Sequence, residues 1–177
     1  VVGLLASPGM VRVLITAEGE DAAEVAQRID GMEHRIRERL GLLIFGTDDQ
    51  TLEGVVAEEL AKRGWPLTIE DEATGGEVIR FLLTGFEGRY SIRAVMDPGV
   101  RESEKESLTV RVRRISGDSS ALESFELVLD TVLGEGFRKE IRLGGPGEEI
   151  RHRLGIIVLD QLRKWLKRDG ETIGKGR

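Results

Sequence analysis

Between Leu42 and Thr84 the apolar residues change rhythm four times, and each change predicts an element. The run Leu42 to Phe45, closed by Gly46, predicts a strand. Thr47 and Gln50 stand in the T-x-x-Q spacing of a capping box, so a helix is expected to start there, with Asp48 and Asp49 as first-turn acids that suit the helix dipole. Leu52, Val55, Val56 and Leu60 continue at helical spacing, Glu58, Glu59, Lys62 and Arg63 suit water, and Gly64 ends the helix. Leu67 and Ile69 alternate with Thr68 and Glu70 as a strand, and Thr74-Gly75-Gly76 leads into a second helix through Val78, Ile79, Leu82 and Leu83. The predicted order is strand, helix, strand, helix.

The flanks follow the same logic. Val1 to Ala6 and Met10 to Ala17 read as strands joined by the Ser7-Pro8-Gly9 turn. Asp21 to Leu40 reads as a helix with Val25, Ile29, Met32, Ile36 and Leu40 on one face, ended by Gly41. Two strands, this helix and Leu42 to Phe45 suggest a KH-like layer, yet no GXXG loop between helices is present to clamp a nucleic-acid backbone. Further on, strands are predicted at Tyr90 to Met96, Leu108 to Arg113, Phe125 to Val132 and Phe137 to Leu143, with turns at Asp97-Pro98-Gly99 and Gly117 to Ser120. Gly144-Gly145-Pro146-Gly147 opens a long final helix lined by Ile150, Leu154, Ile157, Val158, Leu162 and Trp165 and ended by Asp169-Gly170.

Composition narrows the classes. With 33% charged and 40% hydrophobic residues and a mean hydropathy of -0.20, the chain reads as globular, and no apolar run is long enough to span a bilayer. A net charge of -6 argues against broad attraction to nucleic acid. The absence of cysteine excludes disulfides and thiolate zinc sites, and with no secretory signal a cytoplasmic location is expected. The chain opens Val1-Val2 without methionine and is read as a piece of a longer polypeptide with an upstream domain.

Candidate chemistry concentrates at Thr74, Gly75 and Gly76, where a strand-to-helix turn presents backbone N–H groups and the positive end of a helix dipole to an anion or carbonyl. A plain helix start explains the same residues. Glu70, Asp71 and Glu72, just before the turn, could be imagined around magnesium, but they would repel an anion. Arg89, Arg93, Arg111 and Arg113 could form a basic strip, or a solvated face offset by Glu102, Glu104 and Glu106. His34 lies on a polar helix face with no metal partner in sequence and is set aside.

Residues VVGLLASPGMVRVLITAEGEDAAEVAQRIDGMEHRIRERLG and LLIFGTDDQTLEGVVAEELAKRG resemble the middle domain and the start of the last domain of the CinA, or competence/damage-inducible, family. TIEDEATGGEVIRFLLT resembles the family's E-S-x-T-G-G turn, and EEIRHRLGIIVLDQLRKWL its closing helix. The resemblance implies a KH-like module, a C-terminal domain that in other members is a nicotinamide-nucleotide amidase, and an upstream molybdopterin-binding-like domain. In active members the turn serine attacks the carboxamide, with the lysine of Y-S-N-x-x-K as base. An amide is a poor electrophile, so both groups are needed. Here Glu72 stands at the serine position, Lys105 is only the nearest lysine by order, and the expected intervening helices are missing. RRISGDSS follows Val112 where the family has G-I-A-G-P, and Gly144 to Gly147 replace its G-D-R.

The expectation is therefore an α/β chain: a partial KH-like module over 1–46, a shortened, degenerate α/β sandwich of the CinA C-terminal type over 47–170, and a disordered tail over 171–177. It is expected to be a non-catalytic scaffold or oligomerisation part, with no cofactor, metal or catalytic residue, and to form homo-oligomers. The alternatives are a nicotinamide mononucleotide deamidase, with Thr74 or a serine from elsewhere as nucleophile, or a nucleotide sensor built on Thr74, Gly75 and Gly76.

Overall fold

The computed structural model describes residues 1–64, 66–86, 92–95, 108–115, 122–131 and 134–168. They fall in two compact units, Val1–Phe45 and Gly46–Arg177.

In the first unit, β1 (Val2–Ser7) and β2 (Met10–Ile15) pair antiparallel, with Val2 opposite Ile15 and Ser7 opposite Met10. Gly9 closes the hairpin at φ 83°, a left-handed conformation that glycine adopts without steric cost. Helix α1 (Ala22–Leu40) starts where Asp21 Oδ1 accepts from the Ala23 N–H, and ion pairs Glu24–Arg28 and Glu33–Arg37 run along its surface. His34 is exposed beside Glu38, on the surface where the sequence put it. The predicted strand at Leu42 to Phe45 is corrected: Gly41–Leu43 form a 3-10 turn, closed by the Ile44 N–H on the Gly41 carbonyl. A four-residue apolar run has too few residues to show its period, and here the chain leaving Gly41 tightens instead of pairing. No side chain in this unit is fully buried, and Leu4 and Val11 on one hairpin face are more than half exposed.

The second unit begins with another correction. Thr47 and Gln50 do bond as the capping spacing suggests, Thr47 N–H to Gln50 Oε1 and Gln50 N–H to the Thr47 carbonyl, but they close an isolated turn. Asp48 has φ 52°, which helical backbone cannot take, so Asp48 and Asp49 precede the helix instead of opening it. Helix α2 (Leu52–Arg63) starts at Thr51, whose Oγ1 accepts from the Gly54 N–H. Gly64 ends it in the left-handed conformation.

A five-stranded mixed sheet follows, of β3 (Leu67–Asp71), β4 (Ile92–Val95), β5 (Leu108–Ile115), β6 (Leu122–Thr131) and β7 (Gly134–Gly144) in the order β4-β3-β5-β6-β7. β3 is parallel to β4 and β5, and β5, β6 and β7 are antiparallel in turn. Between β3 and β4 runs α3 (Glu77–Phe86), and α4 (Gly147–Arg168) closes the described chain. Period-two alternation puts Leu67, Ile69, Val110, Val112, Leu127 and Leu129 on one buried face, against Val56, Leu60, Val78, Leu82, Leu154, Val158 and Leu162 of the helices. The helices approach closely where they lack side chains. A Cβ on Gly85 would stand 2.7 Å from the Glu53 backbone, and one on Gly155 would stand 2.9 Å from Phe81. Arg63 joins two helix ends, donating to Glu59 within α2 and to the Leu166 carbonyl of α4.

The architecture is α/β as expected. The predicted turns at 97–99 and 117–120, the helix end at 169–170, the tail, Lys105, Arg89 and the acids at 102, 104 and 106 lie outside the described residues.

Candidate functional site

β3 ends by turning Asp71 inward. Ile69 points to the core and Glu70 to the other face, so alternation aims Asp71 back under the helices, where it is 2% exposed. Its Oδ1 accepts from the Ala73 and Thr74 N–H groups at 3.1 and 2.7 Å, and its Oδ2 accepts from the Gly76 N–H at 3.0 Å. The Thr74 hydroxyl donates to the same Oδ2 and accepts, at 3.4 Å, from the Val78 N–H. Thr74 is fully buried. A buried carboxylate at the start of α3 is thus satisfied by the N–H groups that the sequence offered to a ligand, and its charge meets the positive end of the dipole.

The glycines make this turn possible. Gly75 and Gly76 have φ of 67° and 93°, which a residue with a Cβ takes only under strain. Gly75 is exposed, and the aliphatic stem of Arg151 from α4 lies 3.4 Å from where its Cβ would be. Nearby, Glu77 pairs with Arg80 at 2.5 Å, and His152 Nδ1 is 3.8 Å from the same carboxylate, its ring 5.3 Å from Phe81. The hydrogen bond from Arg80 holds the Glu77 carboxyl below its ordinary value, against a smaller opposing effect of burial.

The three acids before the turn do not act together. Glu70 lies on the sheet face away from Asp71 and pairs with Arg111 at 2.5 Å, while Glu72 is exposed, its N–H on the Val112 carbonyl. Among the described residues no group of acids and histidines could hold a metal ion. Of the suggested basic strip, Arg111 and Arg113 are each matched by carboxylates. Arg111 bridges Glu70 and Asp130, and Arg113 and Arg138 share Glu126 around a cavity of about 150 Å³. Hydrogen bonds from Arg138, and secondarily from Arg113, hold the Glu126 carboxyl below its ordinary value. Sequence reasoning missed Asp71 as the centre of the turn, although the Ile69, Glu70, Asp71 alternation carried the signal.

The fold and turn define a chain with a hairpin-and-helix unit of the KH-like kind ahead of a mixed α/β sheet whose helix-start turn is closed by its own aspartate. The family model for the damage-inducible protein CinA KH domain matches residues 1–46. A competence-damage inducible protein of Thermoanaerobacter pseudethanolicus is 37% identical over 92% of this chain and 48% of its own length. One of Alkaliphilus oremlandii is 32% identical over 73% of this chain and 30% of its own. A CinA-like protein of Thermomicrobium roseum is 40% identical over 41% of this chain and 18% of its own. The chain belongs to the CinA family, and it spans less than half the length of these relatives. No described helix is long and apolar enough to cross a membrane.

Proposed function

We propose that this chain is a non-catalytic scaffold or oligomerisation part of a CinA-like protein, its second unit keeping the sheet and helix-start turn of an amidase-like domain without deamidase chemistry. One observation carries this reading. The hydroxyl that would have to attack a carboxamide, that of Thr74, is sealed from solvent and donates its proton to Asp71, while three N–H groups of the turn are taken by the same carboxylate. A nucleophile must reach its carbonyl, and an oxyanion needs donors aimed at it. Glu72, at the position the family resemblance gives to the serine, is exposed and acceptor-only when ionised.

A nucleotide-sensing role draws on a different observation. Arg151 lies beside the exposed Gly75 and offers a phosphate one cation at the start of α3. Calorimetric titration of the chain with nicotinamide mononucleotide, with ammonia assayed in the same samples, separates the readings. No binding and no ammonia is the expected result. Ammonia release that disappears in Thr74→Ala would restore the amidase, and binding without turnover would establish the sensor.

A further inference from the structure

β7 is the last strand of the sheet order, so among the described residues one of its two edges carries no ladder partner. The strand is 11 residues long, without proline, and mostly exposed. Such an edge is a template for another strand unless its side chains forbid it. Its sequence, Gly134-Glu135-Gly136-Phe137-Arg138-Lys139-Glu140-Ile141-Arg142-Leu143-Gly144, forbids most pairings and permits one well.

We propose that β7 pairs antiparallel with β7 of a second copy of this chain, about a two-fold axis at Ile141; the proposal rests on the scaffold reading and specifies its interface. An axis perpendicular to the sheet keeps both helical layers on the same side and requires each residue to face one of the same parity. With Arg138 on the axis, arginine faces arginine. With Lys139 there, lysine faces lysine. With Glu140 there, glutamate faces glutamate and Arg138 faces the second Arg142. With Ile141 on the axis, Ile141 meets its copy, Glu140 meets Arg142 twice by symmetry, the Lys139 stem lies over Leu143, and Arg138 meets Gly144. No like charges then face each other. The same holds with Phe137 on the axis, but that ladder would have to run through the register shift at which Leu129 faces Phe137 and Asp130 faces Glu135.

The existing structure prepares this register. On the side of the sheet away from the helices, Glu140 and Arg142 already pair within one chain at 2.7 Å and are about half or more exposed, so exchange between copies costs little desolvation. On the helical side, Ile141 and Leu143 are only half-buried at the sheet margin. The Lys139 ammonium donates to Gln161 of α4. Charged side chains along an edge suppress indiscriminate pairing, and their self-complementarity here selects one partner.

Charge reversal tests the register. Sedimentation of the chain across about 10 μM to about 1 mM is expected to show a reversible monomer–dimer equilibrium, in the weak range that a short edge pairing supports. Glu140→Arg or Arg142→Glu alone places like charges across the axis and should raise the dissociation constant roughly tenfold, and the double exchange should restore it. Circular dichroism melts confirm that each variant is folded. A dimer indifferent to all three variants overturns the β7 register while leaving the oligomer reading standing. A chain monomeric throughout the range overturns both.

Discussion

The Thr74 hydroxyl donates to the carboxylate of Asp71, and both side chains are buried. This pair turns a sequence that looks like an open anion cradle into a closed structural cap. Asp71→Ala leaves the Ala73, Thr74 and Gly76 N–H groups without their acceptor and should destabilise the chain by about 2–4 kcal/mol, read as a lower urea midpoint at unchanged slope. Thr74→Ser, which keeps the hydroxyl, should cost less than Thr74→Val, which strands one carboxylate lone pair.

The start of α2 gives a second contrast. Thr51 holds the Gly54 N–H, whereas Thr47 sits in a separate turn and bonds through its backbone. Thr51→Ala should cost about 1 kcal/mol, and Thr47→Ala should stay within about 0.5 kcal/mol of the parent, in the same unfolding measurement.

Helix approach sets a third. A methyl group at Gly85 meets the Glu53 backbone at 2.7 Å, a contact that only movement of α2 against α3 can relieve. Gly85→Ala should destabilise by about 1–3 kcal/mol despite the better helix propensity of alanine. Gly31, in the middle of α1 with nothing within 4 Å of its would-be Cβ, should respond in the opposite direction, by about 0.5–1 kcal/mol. Thermal melts of the two variants separate the packing effect from the propensity effect.

Acid should weaken the fold through its arginine-bound carboxylates. Glu77, held by Arg80, and Glu126, held by Arg138 and Arg113, ionise in the folded chain below their ordinary value of 4.5. Their contribution is therefore complete above that value and is lost as the pH falls from it through the lowered folded values, because over that window the unfolded chain takes up protons that the native ion pairs still resist. Stability measured from pH 7 downward should decline in that window, and Glu77→Gln with Glu126→Gln should make the decline shallower.

Much of the fold was legible because periodicity alone carries it. Alternation gave β3, β5 and β7 close to their observed limits, and three- and four-residue spacing gave α1, α3 and α4. Leu42 to Phe45 failed because four apolar residues show no period. Thr47 failed because two threonines stood four residues apart, each able to cap, and only the left-handed Asp48 between them decided which did.

The sequence by itself determined the α/β order of elements, the glycines that let the turn at Gly75 and Gly76 bend, and the resemblance that led to the CinA family. Tertiary structure decided what that turn does. Asp71 reads in sequence as one of three adjacent acids, but the pleat sends Glu70 to Arg111 on one face and Asp71 beneath α3 on the other. The direction of a side chain depends on which face of the sheet the helices cover, and that is settled only when distant segments pack.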